Sequence, residues 1–226
     1  MERPIITAFV DANVMKFASE TEVLIPRQDT IEVGGRKFEA TIHDFGVRRE
    51  VDSLREGELR NEALLLRKVA DEAVTGAIRL ITQDEVVDEV MTLPWARGAH
   101  LYGVPIEWVD APIEYSRIIG RIVPSPPSER RNDWKESMVE FMLDVDHPRY
   151  KQLQLACGAN QGATINEDQL IDAFHVWCAE GAGATHFLTL DFALIKNVRR
   201  HRRYPPRVKL VKPSELLYDL WNARRA

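Results

Sequence analysis

Cysteine is scarce in this chain: among 226 residues only Cys157 and Cys178 occur. Neither belongs to a Cys-x-x-Cys pair or a Cys/His cluster, which speaks against a zinc module and for a reducing compartment. Both read as ordinary thiols in or near the core. Long apolar runs are also missing. No stretch approaches the ~20 apolar residues of a membrane-crossing helix, and no charged start followed by an apolar core marks a secretory signal. The expectation is a cytoplasmic protein with no membrane partner. A large excess of positive charge is absent too. Thirty basic residues face 35 acidic ones, a net charge of −5, which excludes a surface coated for nonspecific nucleic-acid binding but not a local basic patch. No internal repeat is visible.

What is present is ordinary for a globular chain, with 45% hydrophobic and 29% charged residues. That length suffices for one sizeable core plus insertions. The near-continuous apolar run at 5–10 predicts a buried strand. Residues 30–33 and 37–42, joined by Gly34-Gly35, predict a β-hairpin with a tight turn. A Leu-, Glu-, Arg- and Ala-rich stretch over 47–75 predicts helix, broken near Gly57. Residues 78–81 predict a second core strand, after which Thr82 and Glu85 form a capping box for the next helix. Pro124-Ser125-Pro126-Pro127-Ser128 interrupts the middle of the chain, and helical pieces are expected at 112–121, 130–144 and 148–157. Asn166 caps a helix to about Glu180, stopped by Gly181 and Gly183. A strand at 186–190, a helix at 192–200, a strand at 207–211 and a helix from Ser214 follow. Alternating strands and helices point to an α/β fold with a central parallel sheet. The expectation is one domain over 1–226, with insertions at about 20–46 and 94–165.

Four acids stand at informative places. Asp11 closes the first apolar run and Asp191 closes Phe187-Leu188-Thr189-Leu190; a carboxylate just past a buried strand points into the crevice where open α/β sheets bind ligands. Asp172 lies mid-helix, where Asp is a poor residue. Leu170, Phe174 and Trp177 share one face of that helix, and Asp168, Asp172 and His175 another. Asp172 is therefore a surface residue or a ligand. Glu89 is a solvated helix residue or a ligand, and Asn13 can cap a turn while supporting Asp11. Thr189 alternates with Asp191 on one side of the strand, placed to hydrogen-bond a carboxylate. The run Arg199-Arg200-His201-Arg202-Arg203 is a solvated loop or a phosphate-binding patch. Carboxylates converging on one crevice cannot all stay ionised without a cation, which favours a hard divalent metal.

The segment Phe9-Val10-Asp11-Ala12-Asn13-Val14 resembles the opening D-x-N-V signature of the PIN-domain family of metal-dependent nucleases. Val87-Asp88-Glu89-Val90 resembles its helix-borne Glu, and Asp172-Ala173-Phe174 with Leu188-Thr189-Leu190-Asp191 its closing D…(S/T)-x-D pattern. The likeness covers about residues 4–18, 77–93 and 166–220. It implies a three-layer α/β/α PIN-like fold carrying an inserted β-hairpin and a helical insertion. It also implies a Mg²⁺- or Mn²⁺-dependent endoribonuclease in which Asp11, Glu89, Asp172 and Asp191 are the catalytic acids. Asp11, Asp172 and Asp191 are the metal ligands on this reading, Asn13 and Thr189 support them, and Arg199, Arg200, Arg202 and Arg203 meet substrate phosphates. RNA, a second copy of the chain and an antitoxin-like protein are the partners compatible with it. Alternatives are a catalytically weak PIN-fold nucleic-acid-binding or scaffold module, and a toxin of a toxin–antitoxin pair, although the chain is much longer than the compact VapC-type toxins. Other Asp-based chemistries fit less well. A haloacid-dehalogenase phosphatase wants an acid where Asn13 stands, a phosphotransfer receiver wants acidic neighbours near Asp11, and Gly181-Ala182-Gly183 precedes a strand instead of opening a dinucleotide-binding helix.

Overall fold

A computed structural model describes residues 5–91, 100–114, 127–160 and 164–225. Its centre is β1 (Ile6–Val10), buried at every residue except Thr7. A strand covered on both faces needs neighbours on both edges. It has them in β4 (Ile78–Thr82) and β8 (His186–Leu188), each parallel to it. Outside these lie β7 (Glu107–Trp108), paired with β4, and β9 (Lys209–Val211), paired with β8. The strand order β7-β4-β1-β8-β9 makes a five-stranded, wholly parallel sheet.

Helices flank it, in keeping with α/β/α layering. α1 (Ala12–Phe17) leaves β1 directly. α2 (Glu58–Val74) precedes β4 and packs on the last helix, α8 (Pro213–Ala223). α3 (Asp84–Met91) follows β4. α4 (Pro127–Asp144), α5 (Pro148–Cys157) and α6 (Glu167–Gly181) pack together, and α7 (Phe192–Arg200) leans on α5. α6 is buried almost all round, with Leu170, Phe174 and Trp177 within the core as expected. Tyr150 of α5 stacks on Trp177 at 5.4 Å and donates its hydroxyl to the Leu170 carbonyl. Asp146 pairs with Lys151 and His147 caps α5, so the acidic stretch before Pro148 is a helix start. Among the described residues no helix is long and apolar enough to cross a membrane.

The hairpin is much longer than expected. β2 (Glu20–Val33) and β3 (Arg36–Arg49) pair along their whole length in a separate two-stranded ribbon. Gly34 and Gly35, at φ 59° and 78°, make the turn. The helix expected from residue 47 therefore starts only at Glu58, after a 3-10 turn at Glu50–Ser53. Thr82 is the last residue of β4 and donates to the Val10 carbonyl, so it caps nothing; Gln83 instead accepts from the Glu85 amide. The two strands expected at 186–190 and 207–211 are each trimmed to three residues. Two short elements were not foreseen: β7, held by the Arg79–Glu107 pair, and a small hairpin of β5 (His100–Leu101) and β6 (Val104–Pro105). Of the helix expected at 112–121, residues 112–114 are not helical and the rest lies outside the described residues.

Candidate functional site

The chain leaves β1 to lay β4 on one side and returns to lay β8 on the other. β1 and β8 are neighbours, so the sheet reverses its order between them. In open parallel sheets the crevice at the carboxyl ends of such a pair is where ligands bind. Asp11 follows β1 directly, and its amide donates to the Leu188 carbonyl at the end of β8. Asp191 lies three residues past β8. Glu89 comes from α3, just after β4, and Asp172 from the middle of α6. Four separate segments thus deliver one carboxylate each.

Thr189 organises the crevice. Its hydroxyl donates to Asp11 Oδ2 at 2.7 Å and accepts from Asn13 Nδ2 at 3.0 Å and from the Asp191 amide at 2.9 Å. One donor and two lone pairs are all a hydroxyl has, and all are used. Asn13 Oδ1 accepts from the Leu190 amide at 2.9 Å, tying the first turn of α1 to the exit of β8. Asp11 Oδ1 accepts from the Ala12 amide, and Asp191 Oδ1 from the Leu194 amide, capping α7. Thr189 thus bonds Asp11 directly, and Asn13 reaches it only through Thr189. Thr189→Val is expected to cost about 1–3 kcal/mol by leaving the Asn13 amide and an Asp11 oxygen short of partners in a buried place. Urea denaturation of both proteins measures it.

The electrostatics join all four acids. Burial, and then the charges of Asp11, Asp191 and Glu89, hold the Asp172 carboxyl well above the ordinary carboxylate range. Asp172 itself is half-buried. Asp168 adds the smallest of these charges and is itself paired to Lys135 at 2.9 Å. Asp168 is thus not a working member of the cluster.

His175 was not assigned a place at the site. It is 1% exposed, with Nδ1 3.8 Å from Asp11 Oδ1 and Nε2 without a hydrogen-bond partner. The three-residue spacing from Asp172 was the available signal, because it puts both on one side of α6.

The basic patch divides. Arg199 is held by Glu215 at 2.7 Å and by the Leu210 carbonyl. Arg203 lies over the Tyr204 ring. Arg200 lines a groove beside Asp191, whereas Arg202 and Arg203 do not. Of the aromatics in the second insertion, Tyr102 lies under Arg67 and Trp108 is half exposed on β7. Trp95 and the side chain of Trp134 lie outside the described residues.

No group of three or more His, Cys, Asp or Glu among the described residues is arranged to hold a metal ion as the crevice stands. The donor chemistry nevertheless suits a hard cation. All four acids offer oxygen, and Mg²⁺ retains several waters and needs only one or two carboxylates. Comparison with protein-family models, curated proteins and solved structures found no match.

Proposed function

We propose that this chain is a divalent-metal-dependent endoribonuclease with a PIN-like fold. The observation that supports this most is that the charges of Asp11, Asp191 and Glu89 all raise Asp172, with Asp11 and Asp191 just past the two strands where a parallel sheet reverses its order. Uncompensated, such a cluster only destabilises the fold. Asp11, Asp172 and Asp191 would hold Mg²⁺ or Mn²⁺. When bound, the ion supplies Lewis acidity to the phosphodiester and to the attacking water. The chain's own residues do the rest. Thr189 and Asn13 fix the Asp11 carboxylate, Asp191 is oriented by its bond to the Leu194 amide, and Glu89 takes a proton from the attacking water or orients it.

The experiment is cleavage of a mixed, structured RNA pool with Mg²⁺ or Mn²⁺, by wild type, Asp11→Asn and Asp172→Asn, with EDTA and single-stranded DNA alongside. Cleavage that disappears in EDTA and in both folded variants is the expected result. Cleavage that persists in the variants rejects this site. A second reading, a nucleic-acid-binding or scaffold module of the same fold with weak catalysis, draws on the lack of a ready-made three-ligand arrangement among the described residues. Folded protein that binds RNA without cutting it would favour that reading. A toxin role would require a small protein that binds the chain and blocks cleavage.

A further inference from the structure

Two hollows flank the carboxylate crevice along the same edge of the sheet, and their charges are opposite. On the β9 side, a groove of about 410 Å³ runs along α7 toward the start of α8. It begins at Phe192, next in the chain to Asp191. Phe192, Ile195, Lys196, Arg199 and Arg200 line it at helical spacing, facing Lys212. Two of its cations are already neutralised: Lys212 lies 2.7 Å from Glu58 and 3.1 Å from Glu62, and Arg199 is paired with Glu215. Lys196 and Arg200 are exposed and have no ion pair among the described residues, so they set the sign of the groove. On the β7 side, a hollow of about 560 Å³ lies past the ends of β4 and β7. Its described lining includes the exposed acids Asp110 and Glu114 and no basic residue.

We infer that the α7 groove grips the nucleic-acid strand on one side of the cut only, with Lys196 and Arg200 on successive phosphates and an unpaired base against the half-buried Phe192, while Asp110 and Glu114 repel the strand on the other side. The inference rests on the nuclease reading for its substrate but not for its test. Cations tracking a backbone beside an apolar floor are how single strands are held without sequence readout. A duplex keeps its base faces stacked and offers nothing to Phe192. The acidic hollow raises the cost of bringing phosphates past β4 and β7.

The test uses the full chain in EDTA, where cleavage cannot occur, and a fluorescein-labelled single-stranded uridylate 12-mer read by anisotropy. Lys196→Glu/Arg200→Glu is expected to weaken binding at least tenfold. It should also flatten the log–log salt dependence by ~1.4, at ~0.7 per phosphate contact on a single strand. Asp110→Lys/Glu114→Lys is expected to tighten binding. Arg36→Glu/Lys37→Glu at the tip of the ribbon makes the same change in net charge and is expected to do nothing. Unchanged binding in the groove variant, equal loss in the tip variant, or no binding by wild type overturns the groove. Unchanged affinity in the Asp110/Glu114 variant overturns its one-sidedness. Cleavage retained with groove binding lost would leave the nuclease reading standing alone, and groove binding without any cleavage would do the reverse.

Discussion

Asp172→Asn should make the metal-free protein more stable while it sharply reduces cleavage. Burial, and then the charges of Asp11, Asp191 and Glu89, hold the Asp172 carboxyl well above the ordinary range. In the unfolded chain the same carboxyl titrates near ~4. Between those two values the folded chain keeps a proton that the unfolded chain has lost. Stability from this group is therefore full below the unfolded value and falls as the pH rises through the window. The wild type carries this deficit as the pH rises above the unfolded value, and asparagine carries none. The expected result near pH 7 is a higher Tm for the variant than for the wild type, a difference that shrinks to nothing toward pH ~4. Cleavage should fall roughly 10²–10³-fold, the scale of losing one charge-stabilising group at a reaction centre. Thermal melts in EDTA across pH, paired with the RNA assay, measure both. A variant less stable than wild type at neutral pH, with a slope unchanged, would show that the carboxyl is satisfied as it stands.

The largest loss of stability should come from a site far from any chemistry. Glu180, at the end of α6, is 3% exposed in its side chain and accepts both prongs of Arg149, at 2.8 Å and 2.6 Å. The Arg207 amide donates to it as well, and Arg149 also reaches the Pro205 carbonyl. This one pair therefore joins α5, α6 and the loop that leads into β9. Arg149→Ala strands a buried carboxylate with a single backbone donor, and breaking a buried pair in this way costs about 3–5 kcal/mol. Arg149→Met/Glu180→Gln should lose much less than the two single changes added together, because each single change leaves its partner unpaired. Strict additivity in denaturant melts would mean that the two side chains do not stabilise each other.

The core strands and the carboxylate positions were legible because burial writes itself into sequence. Ile6–Val10 is apolar nearly throughout, and Asp11 and Asp191 follow apolar runs that end at one edge of the sheet. Asn166 capped its helix as read, through a bond to the Gln169 amide. The ribbon was only half legible. Its two faces are largely exposed, so residues such as Glu20, Arg27 and Arg49 carry no alternation of burial to announce a strand. The cross-strand ladder alone extends it to Arg49. Val47-Arg48-Arg49 looked like the start of the following helix for the same reason. Thr82 was misplaced because a capping box and a strand end offer the same residue types, and the Val10 carbonyl that takes its hydroxyl is 72 positions away. β7 is two residues long and owes its place to the β4 edge and the Arg79–Glu107 pair, neither of which is local. The basic run divides for a reason the sequence does not show: Glu215 and Tyr204 occupy Arg199 and Arg203, while Lys196, one helical turn before Arg200, was not considered as its companion.

Manganese binding followed by electron paramagnetic resonance tests the carboxylate cluster most directly. Free Mn²⁺ gives a six-line signal that fades on binding, so titration of wild type and Asp172→Asn in the absence of RNA reads the site without any substrate. The expected result is saturable binding to the wild type that weakens at least tenfold in the variant. Equal binding by the two folded proteins, or none by either, would contradict a divalent-cation site built from Asp11, Asp172 and Asp191.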